Sequence, residues 1–275
     1  MNVKEIICEE NHMALLETKD ISINFGGLWA VNKVDFNVEP NKIVGLIGPN
    51  GSGKTTFLNI ISGIYGRYKG TSGEVYLDGE YILGLKPYEV YKKGISRTYQ
   101  SSRLCWDQSV ADNLLVGSYT SQNYTLADSL FRPKKVNNMI YDELDRALDL
   151  LSTFNPKLVD RRYDLAKNIP HIDRRRIEIT RALLSNPKLL LLDEPTAGLN
   201  DEETMTMMDE IRMVKEKMKG SAVIIIEHDM QVMEKVPDSI VVFNAGMKIA
   251  EGTYQEIIND QDVIDAYIGG GEEDE

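Results

Sequence analysis

The sequence predicts an α/β fold around a buried parallel sheet, and three observations carry that prediction. The runs 42–48 (KIVGLIG), 188–192 and 222–226 are short and almost wholly apolar, which suits strands covered on both faces. Each is followed by a helical pattern, giving strand, helix, strand at wide spacing. The stretch 101–177 lacks such runs and reads as a helical subdomain inserted into the α/β domain.

The elements follow in order. Residues 20–25, 34–38 and 74–78 mix apolar and polar positions between turns, as half-buried strands do. A helix over 56–64 follows the run 42–47. Within 138–154, Ile140, Leu144, Leu148 and Leu151 recur at helical spacing. A helix over 201–220 starts with Asp201, Glu202 and Glu203 and ends with Lys215, Lys217 and Lys219, which complements its dipole. Its Met205, Met208 and Met213 read as core packing. Residues 239–243 and 248–251 read as a hairpin around Asn244-Ala245-Gly246. The ending GGGEEDE is expected to be disordered, and no internal repeat is visible.

Composition narrows the function. At 275 residues and 31.1 kDa, the chain has room for one large domain or two small ones. The 31 Lys and Arg against 43 Asp and Glu leave a net charge of −12. That argues against coating nucleic acid, which needs basic surface. No run of about 18 apolar residues offers a membrane span, and the start MNVKEIICEENH is unlike a secretion signal. Cys8 and Cys105 are too few for a disulfide framework and read as free thiols.

Gly48-Pro49-Asn50-Gly51-Ser52-Gly53-Lys54-Thr55 fits G-x-x-x-x-G-K-[ST] between a buried strand and the helix opening at Thr56. Glycines let backbone N–H groups approach phosphate oxygens, and the helix N-terminus adds a positive end. Lys54 would reach the β- and γ-phosphates, and the Thr55 hydroxyl would go to Mg²⁺. The run 189–192 delivers Asp193 and Glu194 to a strand's carboxyl end, where open α/β sheets bind ligands. Asp193 is the expected Mg²⁺ partner and Glu194 the group that orients or deprotonates the attacking water. The run 222–226 likewise ends at His228, one of only 3 histidines, which could bond the γ-phosphate or hold the water.

These pieces, in this order, resemble the ATP-binding subunits of ABC transporters, from about Leu15 to Tyr267. The resemblance implies an α/β P-loop NTPase (RecA-like) core over 14–268, with an N-terminal antiparallel β subdomain, an inserted α-helical subdomain at about 101–177, and tails at 1–13 and 269–275. It implies ATP and Mg²⁺ as cofactors. Gln100, in Arg97-Thr98-Tyr99-Gln100, matches the glutamine that contacts Mg²⁺ or the attacking water. Phe25, before Gly26-Gly27, matches the aromatic that stacks on adenine, although a core strand aromatic fits it nearly as well. Glu194 matches the catalytic glutamate and His228 the switch histidine. Finer matches, among them Phe25-Gly26-Gly27-Leu28, Ile226-Glu227-His228-Asp229-Met230 and Val263-Ile264-Asp265-Ala266-Tyr267-Ile268-Gly269, look like the larger ATPase of branched-chain amino acid importers. Related importers carry other small polar solutes. The implied partners are a second ATPase subunit, integral membrane permease subunits and an extracytoplasmic solute-binding protein. No nucleic acid is expected. The implied place is peripheral, on the cytoplasmic face of the cell membrane.

One segment departs from the family. The signature before the basic helix is usually Leu-Ser-Gly-Gly-Gln, and here it is Ile169-Pro170-His171-Ile172-Asp173. In the family this segment caps the γ-phosphate on the partner's phosphate loop. Pro170 offers neither hydroxyl nor N–H, Ile172 is bulky, and Asp173 is expected to bring negative charge toward phosphate. The expectation is a heterodimeric pair with one degenerate site, because a C2 homodimer would repeat the defect. The alternative is a non-transport or regulatory ABC-type protein with weak hydrolysis.

Overall fold

The computed structural model describes residues 14–118 and 124–268. The tails 1–13 and 269–275, with Cys8 and His12, lie outside the described residues. The antiparallel sheet comprises β1 (Leu16–Phe25), β2 (Leu28–Val38), β4 (Thr71–Leu77) and β5 (Glu80–Tyr81) in the order β2-β1-β4-β5. Between its members run β3 (Ile43–Ile47) and α1 (Lys54–Ile61). Helix α2 (Pro87–Lys93) then leads to β6 (Ile95–Arg97). Four helices follow: α3 (Val110–Leu115), α4 (Leu126–Phe131), α5 (Pro133–Phe154) and α6 (Pro156–Asp160). Next come α7 (His171–Leu183), β7 (Leu189–Asp193), α8 (Asp201–Lys217), β8 (Ala222–Ile226) and α9 (Met230–Lys235). The chain closes with β9 (Ser239–Asn244), β10 (Met247–Gly252), α10 (Tyr254–Ile257) and α11 (Gln261–Ile268).

The second sheet has the order β10-β9-β3-β8-β7-β6, parallel throughout except at β10. The expected buried runs are its central strands β3, β7 and β8, every residue of which is buried. Side chains alternate across it with the period of two that a strand imposes. Val44, Leu46, Leu189, Leu191, Ile224 and Ile226 join the antiparallel sheet and α1 in one core. Ile47, Leu190, Leu192, Val223 and Ile225 join α7, α8 and α9 in another. Both faces are therefore covered, which is why these strands carry almost no polar residue.

A third core, including Leu104, Val110, Leu114, Leu151, Leu158 and Ile169, belongs to the helical part. The expected end of that part near residue 177 falls inside α7. Ile177 packs into the third core, while Ile179, Ala182 and Leu183 pack against the sheet. One helix thus joins the two units. In α8 the buried methionines are Met207 and Met208, whereas Met213 is 40% exposed, so the expected core role fails for Met213. The hairpin β9–β10 turns through Ala245 and Gly246, both at positive φ, as a two-residue hairpin turn requires.

Candidate functional site

The loop from β3 to α1 is shaped by its glycines. Gly48 sits at φ +147°, and a Cβ there would lie 2.0 Å from the Phe243 carbonyl oxygen. Gly53 sits at φ +102°, and its Cβ would lie 2.3 Å from the Ala30 carbonyl oxygen. Only glycine fits either place. No side chain caps α1 at Gly53, so its first-turn N–H groups are open to an anion. Lys54 Nζ folds back on the loop, donating to the carbonyls of Gly48 (2.8 Å) and Pro49 (2.9 Å) and to Ser52 Oγ (3.3 Å). Burial pushes the Lys54 ammonium below its usual pKa, against the pull of Glu194 and Asp193. Incoming phosphate would replace neutral acceptors with charged ones, which bind ammonium more strongly.

The strand ends bring the remaining groups together. Asp193 closes β7 and is 3% exposed. Its Oδ2 accepts from Arg97 Nη2 at 2.7 Å. Arg97 Nη1 donates to Asn59 Oδ1 (2.7 Å) on α1, so one guanidinium ties β6, β7 and α1. Glu194 holds a left-handed φ of +48°, a strained conformation outside glycine. Its N–H donates to the Ile226 carbonyl at 3.0 Å. Its carboxylate is gripped at both oxygens: Gln100 Nε2 donates to Oε2 at 2.7 Å, and His228 Nε2 lies 2.9 Å from Oε1. Glu227 is buried and accepts from Thr196 N (2.9 Å) and Oγ1 (2.6 Å). Burial pushes its carboxyl above the usual 4.5, against the lowering effect of the Thr196 bonds.

A cleft of about 270 Å³ unites Asn50, Gly51, Ser52, Gly53, Lys54, Thr55, Thr56, Gln100, Glu194 and His228, with Ala30 on its wall. The expected phosphate and water groups thus meet at one place with Thr55 and Gln100, whereas Asp193 is buried on Arg97 and does not line the cleft. A larger groove of about 660 Å³ lies at the opposite strand ends, near Pro40, Lys188 and Ser221, away from these groups. Phe25 does not line the cleft. Its ring packs on Tyr68 (4.9 Å between centroids) and Tyr65 (5.4 Å), which fits the core-aromatic alternative.

Thr55 and Asp193 supply oxygen donors, the set that Mg²⁺ prefers. Among the described residues no cluster of three or more His, Cys, Asp or Glu could hold a metal alone. A cation here would therefore share its shell with phosphate and water.

The altered signature is arranged differently from expectation at two positions, Asp173 and Ile172, the latter packing half-buried against the second core. Ile169 is buried in the helical core, and Pro170 is the N-cap of α7. Asp173 does not project toward solvent where a phosphate would arrive. It is buried, with Oδ1 bonded to Arg176 (2.8 Å) and Asn155 (2.9 Å). Arg176 in turn grips Glu210 of α8 through two bonds, at 2.6 and 3.0 Å. The expected Coulomb repulsion is thus neutralised inside the protein.

Sequence reasoning missed Arg97 as a structural tie, together with Asn59, Glu227 and Ala30. Their partners are 31 to 96 positions away or are backbone atoms. An arginine closing a short strand three residues before the glutamine was the one available signal.

The ABC transporter family matches residues 31–197, and the branched-chain amino acid ATP-binding cassette transporter family matches residues 247–273. The chain is 36% identical over 258 residues to the high-affinity branched-chain amino acid transport ATP-binding protein BraF of Pseudomonas aeruginosa, covering 93% of this chain and 98% of that one. It is 37% identical over 255 residues to the corresponding protein LivG of Escherichia coli strain K12, with the same coverage. Two solved structures of ATP-binding cassettes from ABC transporters superpose with a TM-score of 0.78. A nucleotide-free one is 29% identical and one in its ADP conformation 30%, each match covering 94% of this chain and at least 99% of the other.

Proposed function

The chain belongs to the ABC transporter family of ATP-binding, ATP-hydrolysing subunits, and from that premise we propose that it powers import of branched-chain amino acids or a related small solute. The observation that carries the catalytic reading is the Glu194 carboxylate, held at both oxygens by Gln100 and His228 beside the phosphate loop. Two such bonds leave the carboxylate little rotational freedom, so it can align a water against the γ-phosphorus and take its proton. Lys54 and the N–H groups of residues 50–55 neutralise and orient the phosphates. Mg²⁺ would be held by Thr55 and Asp193, with Gln100 nearby, and would supply charge neutralisation.

The cargo is supported by the match at 247–273 and by the names of the relatives. The described residues contain no helix able to cross a membrane. The names of the relatives support permease subunits as partners, with a solute-binding protein and a peripheral position on the membrane's cytoplasmic face completing the proposed importer. Pro170 caps α7 with no hydroxyl and no N–H, although Ile172 packs half-buried against the core beneath α7 and α8. This supports pairing with a non-identical ATPase whose intact signature completes the site built on Lys54, Asp193, Glu194 and His228. The boundaries 14–268 and about 101–177 are those proposed for the ATPase domain and its helical insertion.

The test uses the transporter complex co-purified with this chain. Glu194→Gln keeps the shape and one acceptor for Gln100 but removes the base, so phosphate release should fall about 100- to 10,000-fold with nucleotide still bound. A drop of less than about tenfold refutes the assignment.

A further inference from the structure

Beside the catalytic cleft, behind β6, lies a second cavity of about 220 Å³. Its wall includes Arg97, Thr98, Tyr99, Arg103, Glu178 and Arg181. The charges do not balance. Arg97 is paired with Asp193, and Glu178 is paired with Arg175 at 3.2 Å while also accepting from the Arg103 N–H at 2.7 Å. Among the described residues no carboxylate pairs with the guanidinium of Arg103 or of Arg181. Arg103 lies over the Tyr99 ring, and Arg181 Nη1 donates to the Arg103 carbonyl. Burial weighs against the Arg181 charge, with only the field of Glu178 and more distant groups favouring it.

Two polar atoms on the same wall are buried and unpartnered: the Thr98 hydroxyl, in a residue 6% exposed, and Arg97 Nε. Buried donors without acceptors are rare and call for a partner. The partly buried guanidinium of Arg181, the exposed guanidinium of Arg103 at the rim and an orphan hydroxyl around a small cavity suit an acceptor-rich, negatively charged occupant. A volume of about 220 Å³ has room for a lone oxyanion.

We propose that this cavity is a second anion site, taking a small oxyanion such as sulfate or inorganic phosphate on Arg103, Arg181 and the Thr98 hydroxyl. The site is wired to the first one. Arg97 lines it and holds Asp193, while Tyr99 lines it and precedes Gln100, which holds Glu194. Occupancy therefore biases the position of both acidic groups. The proposal does not rest on the cargo or on the heterodimer.

The test is calorimetric titration of sodium sulfate into the chain already saturated with a non-hydrolysable ATP analogue, so that the phosphate loop is filled up to the γ-phosphate position. Sodium chloride at equal ionic strength is the control. Saturable sulfate binding is expected, weakened about fivefold or more in Thr98→Val and in Arg103→Gln, as loss of one bond to an anion implies. Unchanged circular dichroism would establish that both variants fold. Sulfate heats equal to those of chloride, or wild-type affinity in both folded variants, would overturn the proposal.

Discussion

Replacing Arg176 with Met should destabilise the protein through two stranded carboxylates. The guanidinium makes two bonds to Glu210 and one to Asp173. Arg176 and Glu210 side chains are each 11% exposed and Asp173 is 13% exposed, so solvent screens the triad little. Removing one partner of such a buried arrangement costs about 3–5 kcal/mol, because the remaining charges lose their compensation. At a urea m-value of about 3 kcal/mol/M, the unfolding midpoint should drop by roughly 1–1.7 M at about pH 8. The combination Asp173→Asn, Arg176→Met, Glu210→Gln should recover most of the loss, since no charge is left buried. Urea titration followed by circular dichroism reads all three. A midpoint change below about 0.3 M at pH 8, the size expected of a surface ion pair, refutes the reasoning. So does a triple variant no more stable than the single one.

Two further outcomes are expected. Gly53→Ala places a Cβ 2.3 Å from the Ala30 carbonyl at a φ of +102°, so the loop must shift; affinity for a fluorescent ADP analogue should fall about tenfold or more, and an unchanged Kd contradicts this. Glu227 has a folded pKa raised by burial. Its contribution is therefore most favourable below 4.5 and is lost as pH rises through the raised value. Glu227→Gln retains an acceptor for Thr196, so its melting temperature relative to wild type should increase from about pH 5 to pH 8; a constant difference refutes the sign.

Much of this protein is local in its physics and was therefore legible in one dimension. The central strands β3, β7 and β8 had to be apolar because both sheet faces are covered. The phosphate loop is specified by its own glycines, and the polarity of α8 is written into its ends. The strands β1 and β2 were visible only in part, because their polar residues and their bulges break the alternation. The three-residue β6 offered no period at all.

The tertiary structure decided the rest, for one reason: the spatial order β10-β9-β3-β8-β7-β6 is not the order of the chain. It sets Gln100 and His228, 94 and 34 positions from Glu194, against one carboxylate. It places Arg97 between Asp193 and α1, packs Phe25 on Tyr65 and Tyr68, and turns Asp173 inward to Arg176. A sequence names the residues capable of charge, hydrogen bonding or packing. Which of those capacities each one exercises depends on the strand that lies next to it, and only the closed sheet sets that neighbour.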